Sequence, residues 1–408
     1  MLNQPRAPGV YIIEKQTGAR PIEAVGTSTA AFVGVAPKAD AFVNVPTPVN
    51  NWTEFLNLFV PPQEPAGNGG AQAANDTAEW HLAHAVYGFF LNGGTRCYVV
   101  NTGKKGSVQD ALTALERVDE VAIVAAPGQA DPIIYEAVLK HCEDLGDRVG
   151  ILDAPKEIAP TQIDKLKEAA VVGADGKVEK DSGLRPRQSD GGYGAFYFPW
   201  ILVANPFDPR QVITVPPSGF MAGIWARTDA TRGVHKAPAN EPIRGALNVT
   251  YRVTDGEQAT LNPRGVNIIR FFPTEGIRVW GARTLAASSG EYRYLNVRRL
   301  VNMIKESIEE SMRWVVFEPN DMTLWKSIQR DVGAFLLLLW RDGALMGAAP
   351  EQAFFVKCDA ETNTKETIDL GYVVTVIGLA PVKPAEFVIF QISQSVAETQ
   401  TNEAPEGG

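Results

Sequence analysis

Short apolar runs alternate with helical repeats through the first half of the chain. The runs are bounded by polar residues, glycine or proline, whereas the repeats place apolar residues every three or four positions. Short runs are typical of buried strands, and a 3.6-residue repeat predicts a helix with one apolar face. The predicted strands are 29–36, 96–101, 121–126 and 148–153, and the predicted helices are 76–92, 108–117 and 131–145. This alternation favours a parallel sheet with crossover helices.

The second half of the chain carries a different pattern. An apolar run at 196–203 predicts one more strand, and Pro199 within it indicates an edge position or a bulge, because proline cannot donate a ladder hydrogen bond. A strand-rich region from residue 248 onward leads into two amphipathic helices at 296–313 and 320–343. Two short strands are predicted after these helices, at 354–357 and 371–377.

These patterns together predict an α/β fold with a doubly wound, mainly parallel sheet, followed by an α+β domain. The predicted divisions are an N-terminal arm at 1–25, the α/β domain at 26–285, the C-terminal domain at 286–383, and a C-terminal arm with a polar tail at 384–408. Loop excursions are expected at 41–75 and 173–194, since turn-forming and charged residues dominate there.

Both ends of the chain carry an apolar strand without an obvious partner. The N-terminal strand contains Val10, Tyr11, Ile12 and Ile13, and the C-terminal strand contains Phe387, Val388, Ile389, Phe390 and Ile392. Unpaired strand edges tend to pair with other chains unless charge, proline or a covering element blunts them. Each strand therefore either pairs within its own fold or completes the sheet of another subunit by β-augmentation.

Composition and charge narrow the functional classes. The 408 residues are 45% hydrophobic, enough for a substantial core, and the net charge of −9 argues against a general nucleic-acid binder. The N-terminus lacks the pattern of a signal peptide and no apolar run is long enough to cross a bilayer, so we expect cytosolic synthesis and no membrane insertion. Three widely spaced cysteines predict buried thiols rather than disulfides or a zinc site.

Candidate catalytic residues occur at the ends of the predicted strands. Lys104 and Lys105 lie in a glycine-containing turn that could hold an anion but lacks the spacing of a P-loop. Asp153 ends a strand and could be the acid of a hydrolase triad, yet Ser218 only approximates a nucleophile elbow. The histidines at 81 and 84 share one helix, and we expect a packing or surface role for them, since no further ligand completes a metal site.

A resemblance to a known family runs along most of the chain. The matching stretches are Val-Pro-Pro-Ser-Gly at 215–219, Ala-Gly-Ile-Trp-Ala-Arg-Thr-Asp at 222–229, Asn-Pro-Arg-Gly-Val-Asn at 262–267, Gly-Ile-Arg-Val-Trp-Gly-Ala-Arg-Thr-Leu at 276–285, Tyr-Leu-Asn-Val-Arg-Arg-Leu at 294–300, Phe-Glu-Pro-Asn at 317–320 and the stretch 377–387. The opening of the chain at 8–11 and the stretch at 93–99 also match. The sequence resembles the sheath proteins of contractile phage tails and of related bacterial injection systems.

The resemblance implies a structural subunit rather than an enzyme, with no cofactor. Such subunits stack as hexameric rings around an inner tube and contract to drive the tube through a target envelope. The implied partners are other copies of the chain, the inner tube protein, and baseplate and cap or terminator proteins. The resemblance also implies that the terminal arms insert into the sheets of neighbouring subunits, and that assembly takes place in the bacterial cytoplasm, with release of tail-like particles as a further step.

The family grips its tube through charged surfaces of the C-terminal domain. The resemblance therefore makes the charged face of the helix at 296–313 the candidate tube contact, through Arg298, Arg299, Lys305, Glu306 and Glu309. A compact chain fits an injection system, which we favour, and also a small phage tail. The rival class is a soluble α/β hydrolase or an anion-binding enzyme that uses the loops at the strand ends.

Overall fold

The computed structural model describes residues 21–62, 77–173, 177–179 and 182–389. The strands are β1 (Ala30–Gly34), β2 (Thr47–Val49), β3 (Cys97–Asn101), β4 (Ile123–Ala125), β5 (Val149–Asp153), β6 (Gly194–Phe198), β7 (Ile201–Asn205), β8 (Asp208–Val215), β9 (Glu241–Pro242), β10 (Ala246–Val249), β11 (Val266–Phe272), β12 (Gly276–Val279), β13 (Phe354–Lys357) and β14 (Val376–Leu379). The helices are α1 (Trp52–Phe59), α2 (His81–Asn92), α3 (Val108–Leu115), α4 (Pro132–Leu145), α5 (Ser218–Arg232), α6 (Asp255–Leu261), α7 (Leu295–Ser311), α8 (Met322–Arg341), α9 (Pro350–Ala353) and α10 (Lys365–Asp369).

A mainly parallel sheet forms the centre of the molecule, as predicted. Its order is β2-β3-β1-β4-β5-β6-β11-β12-β9, and the six strands from β3 to β11 run parallel. Antiparallel strands flank them, with β2 at one edge and β12 and β9 at the other. Alternate residues of β1 enter two different cores: Phe32 packs in the core of α2 and α5, and Val33 in that of α3 and α4. Both sheet faces are therefore covered by helices, which explains the nearly continuous apolar strands.

The predicted ends of two helices are found in the structure. Helix α2 stops where Gly93 takes a left-handed conformation (φ 113°), which a residue without a Cβ adopts at little cost. Helix α4 begins where the Asp131 carboxylate accepts a hydrogen bond from the Ile133 amide, with Pro132 in the first turn. These local signals place the crossover helices against the sheet.

The prediction of one strand across 196–203 was wrong. The structure divides this run into β6 and β7, separated by a cis Phe198-Pro199 peptide bond. Strand β6 belongs to the large sheet, whereas β7 lies at the centre of a separate antiparallel sheet with the order β10-β7-β8. Both halves are apolar because both are buried, so their composition did not reveal the break.

A third core lies around α7 and α8, where Leu300, Trp325 and Leu336 pack with the two-stranded sheet β13-β14. Ile22 is buried in the same core, and the Val25 amide donates to Ser307 Oγ at 3.0 Å. The chain from 21 to 25, part of the predicted N-terminal arm, is thus fixed along α7.

The predicted strand residues Val10 to Ile13 lie outside the described residues, as do Phe390 and Ile392. The division into domains stays a prediction.

Candidate assembly interface

The C-terminal strand departs from a fixed root at Glu386. Its carboxylate accepts both Nε (2.8 Å) and Nη2 (2.7 Å) of Arg283, and also Asn262 Nδ2 at 2.7 Å and the Tyr294 hydroxyl at 3.0 Å. Burial alone would raise the pKa of Glu386, but the hydrogen bonds from Arg283 and Asn262 outweigh it and hold the pKa below its usual value. This anchor ties the start of the arm to the central domain.

Immediately after this anchor the apolar side chains face solvent. Phe387, Val388 and Ile389 are 72%, 68% and 84% exposed. Three consecutive exposed apolar residues beyond a partly buried ion pair form a patch that the described part of the protomer leaves uncovered. The sequence analysis did not predict this anchor. Glu386 is the only charged residue in the run 385–393, and a single charge in an apolar run indicates that it has a partner in the fold.

A free strand edge lies on the same protomer, in the sheet β13-β14. The Ala380 amide donates to the Ala353 carbonyl at 2.9 Å, so the backbone groups of Leu379 and Ile377 point away from β13. Within the part of the chain that the structure describes, no strand pairs with this far edge. The edge continues past β14, because residues 380–382 bond to 344–346 on the β13 side.

A groove of about 730 Å³ runs between this edge and α7. Its floor is the apolar stripe of α7, and its wall is formed by alternate residues of β14 and the following segment; the lining includes Val297, Val301, Ile308, Ile377, Leu379 and Pro381. Charged side chains, among them Lys305, Glu309 and Lys383, stand at its rim. An apolar floor beneath an unpaired strand edge has the shape and chemistry to accept one more strand.

Two of the predicted tube-facing charges are buried, so their assignment to an exposed charged face was wrong. Arg299 pairs with both oxygens of Asp229 at 2.9 and 2.5 Å, and also donates to the Thr27 carbonyl at 2.9 Å. Arg298 lies between the rings of Tyr193 and Tyr292 and donates to Asn302 Oδ1 at 2.8 Å. Both arginines act inside the protomer, because the central domain supplies a carboxylate and aromatic rings opposite α7.

The other three predicted charges differ in exposure. Lys305 and Glu309 are exposed at the rim of the groove, and Lys305 donates to the Gly146 carbonyl at 3.1 Å. Glu306 is half-buried between α7 and the central domain. Burial, with Asp147 and Glu310 nearby, raises the pKa of Glu306 to about 7. Lys305 and Glu309 therefore keep their place as candidate contacts with a partner.

The ends of the parallel strands hold a packed cluster of side chains. The Asp153 carboxylate accepts hydrogen bonds from the Gly128 amide (2.9 Å), the Ser218 amide (2.8 Å) and Ser218 Oγ (2.7 Å). Burial raises the pKa of Asp153 to about 6 despite these donors. Ser218 and Asp153 are both almost completely buried, and no histidine stands between them. The structure brings this pair together, which sequence reasoning did not, but as a structural link and not as a triad.

The neighbouring histidines pack in the same region. The ring of His81 meets Trp200 edge-on with 5.1 Å between centroids, and His84 meets Phe207 at 6.1 Å. Gly128 lies so close that a Cβ there would stand 2.3 Å from His81 Nδ1. Side chains therefore fill the space around Asp153 at the carboxyl ends of β4 and β5, whereas a pocket of about 570 Å³ lined by Lys156, Phe198 and Tyr251 stays open after β5 and β6. Lys104 and Lys105 lie exposed in the turn before α3.

Cys97, Cys142 and Cys358 are buried free thiols, as predicted. In the described ranges no three His, Cys, Asp or Glu side chains are grouped to hold a metal ion. None of the helices in those ranges has the length and apolar character that crossing a membrane requires.

Comparison with known proteins identifies the family. The phage tail sheath protein central domain matches residues 104–285, and the phage tail sheath C-terminal domain matches residues 287–395. The tail sheath protein of Salmonella phage ViI is 25% identical over 82% of this chain and 51% of its own length, so the chain spans about half of that relative.

Two solved structures match along nearly their whole length. The sheath of an extracellular contractile injection system, PVC, in the contracted state is 30% identical, with a TM-score of 0.72 and coverage of 97% of this chain and 99% of that chain. The contracted helical sheath of the anti-feeding prophage is 29% identical, with a TM-score of 0.73 and coverage of 96% and 100%. These relatives are structural sheath proteins and not enzymes. The chain belongs to the phage tail sheath protein family.

Proposed function

We propose that the chain is the structural subunit of a contractile sheath, which polymerises as stacked hexameric rings around an inner tube and contracts to drive the tube through a target envelope. The observation that carries this proposal is the pairing of two uncovered features on one protomer. An exposed apolar segment, Phe387 to Ile389, follows a fixed root at Glu386, and an apolar groove beside β14 stands open. The likeness to two contracted sheaths supports the same function.

Exchange of terminal strands would join the protomers. The groove accepts one strand along the free edge of β14, with alternate side chains on the apolar floor of α7. Either the C-terminal strand with Phe387 to Ile392 or the N-terminal strand with Val10 to Ile13 could come from a neighbour. Backbone ladders would hold the protomers together, and short hinges between an exchanged strand and its own protomer would permit rotation between rigid bodies, as contraction requires.

A bacterial contractile injection system is the favoured particle. Support comes from sequence identity over full length: the chain is 29–30% identical to two injection-system sheaths over 99–100% of their length, but 25% identical to a phage tail sheath protein that it covers over 91% of its length. The alternative is the sheath of a contractile phage tail. Neighbouring genes test this choice, because an AAA-type ATPase and toxin cargo without capsid genes accompany an injection system, whereas capsid and terminase genes accompany a phage.

The proposed partners follow from the same assembly. They are further copies of the chain, an inner tube protein, and baseplate and cap proteins, with neither nucleic acid nor a membrane among them. Lys305 and Glu309 at the groove rim are the proposed tube contacts. We place assembly in the bacterial cytoplasm, followed by release of the particle in the case of an injection system.

Truncation tests the proposal directly. Wild-type protein should form tubes or ring stacks in negative-stain microscopy, whereas proteins that lack residues 1–14 or the residues after 384 should stay folded without forming sheath. Circular dichroism and thermal melting establish folding in each case. Contractile tubes from a truncated chain would exclude a role for that arm. Monodisperse wild-type monomers that are stabilised by nucleotide or phosphate would favour the enzyme class.

A further inference from the structure

The loop between α7 and α8 presents an exposed aromatic ring in an unusual backbone conformation. Phe317 is 101% exposed, and its φ of 68° lies in the left-handed region, which bulky side chains rarely adopt. Val316 and Met322 beside it are 62% and 59% exposed. We call Val316, Phe317, Glu318, Asp321 and Met322 the hairpin tip. The exposure of Phe317 and its strained backbone are both unfavourable in an isolated protomer. A contact with another surface would offset both costs.

Contacts on both flanks hold the backbone of the hairpin tip in place. Trp314 and Val315, just before it, pack against the core of α7 and α8. On the other side Asn320 accepts from Trp325 Nε1 at 2.8 Å and donates to the Tyr372 carbonyl at 2.9 Å. Packing on one side and hydrogen bonds on the other thus hold the backbone that carries Phe317, which lowers the entropic cost of binding through it.

A second exposed apolar surface lies on the central domain. Phe42, Val43 and Val45 are 46%, 41% and 52% exposed, and Phe42 also has a left-handed backbone with φ 48°. The buried Asn101 amide donates to the Ala41 carbonyl at 2.6 Å, which fixes this segment against β3. Phe42 and Phe317 are two of the four residues other than glycine with positive φ in the described ranges.

Charge distinguishes the two surfaces. Lys104 and Lys105 are exposed directly beside the second surface, since a Cβ on Gly103 would stand 3.3 Å from Val43. We call Phe42, Val43, Val45, Lys104 and Lys105 the strap patch. The neighbouring charges at 38 and 40 are opposite in sign. The hairpin tip carries Glu318 and Asp321, while the nearby Arg313 pairs with Glu310 at 4.0 Å. The tip is therefore apolar and acidic, and the patch is apolar and basic.

We propose that the hairpin tip of one protomer docks on the strap patch of a second copy of the chain. Phe317 packs against Phe42, Val43 and Val45, and the acidic residues of the tip face Lys104 and Lys105. The contact joins different surfaces of identical chains, so it is heterologous and generates rings or open helices rather than closed dimers. This inference rests on the proposed polymerisation but concerns a contact separate from the exchanged arms.

Cysteine cross-linking tests the contact in assembled sheath. The native cysteines are buried, so Phe317→Cys in one tagged chain and Val45→Cys in another provide the reactive pair. Disulfides need Cα atoms within about 7 Å, so mild oxidation should join the two chains only if the surfaces meet. In the matched controls, Leu338→Cys replaces Phe317→Cys, or Val212→Cys replaces Val45→Cys. Leu338 and Val212 are 54% and 57% exposed.

Charge exchange provides a second readout. Glu318→Lys with Asp321→Lys, or Lys104→Glu with Lys105→Glu, should raise the protein concentration required for assembly about tenfold or more, as expected for the loss of an interface hot spot. Combining all four substitutions should restore assembly, which a merely structural defect would not permit.

Each outcome separates the two proposals. Cross-links between Phe317→Cys and Val45→Cys that are absent from the controls, together with rescue by the fourfold variant, support the contact. Sheath that assembles from the two cysteine variants without forming these cross-links overturns the contact and leaves the proposed function standing. Cross-linking of Phe317→Cys to the tube protein, and not to Val45→Cys, likewise overturns the proposed contact. Failure of the wild-type chain to polymerise overturns the proposed function.

Discussion

Arg299 and Asp229 form a buried ion pair that joins three segments of the chain. Arg299 lies on α7 and Asp229 on α5, and the Thr27 hydroxyl donates to the same carboxylate at 2.6 Å. The side chains of the pair are only 3% and 7% exposed. Both oxygens of the carboxylate are satisfied, so the pair fixes the C-terminal helices and the N-terminal segment against the central domain.

Breaking this pair should strongly destabilise the protomer. Arg299→Met leaves the Asp229 carboxylate buried without its cation, which typically costs about 3–5 kcal/mol. Urea denaturation of the variant checks this expectation. The matched control is Lys140→Met, since Lys140 and its partner Asp144 are 67% and 62% exposed, and such surface pairs contribute about 0–1 kcal/mol. Equal losses from the two variants would contradict a structural role for the buried pair.

Glu306 makes the stability of the protomer depend on pH. Its folded-state pKa of about 7 is above the ordinary 4.5, so the folded chain holds this proton more tightly than the unfolded chain does. The stabilisation is therefore complete below about pH 4.5 and is lost as the pH rises through 7. Thermal melting of Glu306→Gln should show a higher midpoint than wild type at pH 8 and no such advantage at pH 4.5. An equal difference at both pH values would rule out titration of Glu306 as the cause.

At the scale of elements, the sheet β13-β14 is incomplete on one side. A strand edge with an apolar floor is normally a hazard for aggregation, which proteins avoid with charge or proline on the edge. Here Ile377 and Leu379 on the groove side are apolar, and the charges stand only at the rim. Proline and lysine on this edge occur only beyond the strand, at Pro381 and Lys383, so the described edge of β14 itself carries neither. An unprotected edge of this kind is expected if a partner strand covers it after assembly.

A single lysine should block this edge. Ile377→Lys places a charge on the wall of the groove, so we expect a folded protomer that forms no sheath. Val376→Lys is the matched control, because Val376 is next in β14, faces the opposite side, and is 44% exposed. Negative-stain microscopy at equal protein concentration measures the difference. If Ile377→Lys assembles as well as Val376→Lys, the arm does not enter this groove.

At the scale of the whole molecule, local patterns predicted the elements better than their arrangement. The alternation of strands and helices predicted the parallel sheet, and Gly93 and Asp131 marked two helix ends. Pro199 was assigned to an edge position or a bulge within one strand, whereas the structure divides the run between two sheets. Apolar composition indicates that a strand is buried, but it does not specify which sheet buries it.

The candidate site was predicted less completely because it depends on contacts between distant residues. Periodicity on α7 did not reveal that Arg299 meets Asp229, a residue on another helix 70 positions away. The groove likewise arises where α7 approaches the segment after β14, and its open edge has no local signature. The apolar terminal strand was visible in the sequence, yet its anchor at Glu386 depends on Arg283, 103 positions earlier.

The most direct test of strand exchange is a cryo-EM reconstruction of assembled sheath with side-chain detail around β14. We predict that the free edge of β14 carries an additional strand above α7, and that this strand traces to a terminal arm of a different protomer. Either of two results would contradict strand exchange: the strand on β14 traces to the same protomer, or the edge stays uncovered in the assembled particle.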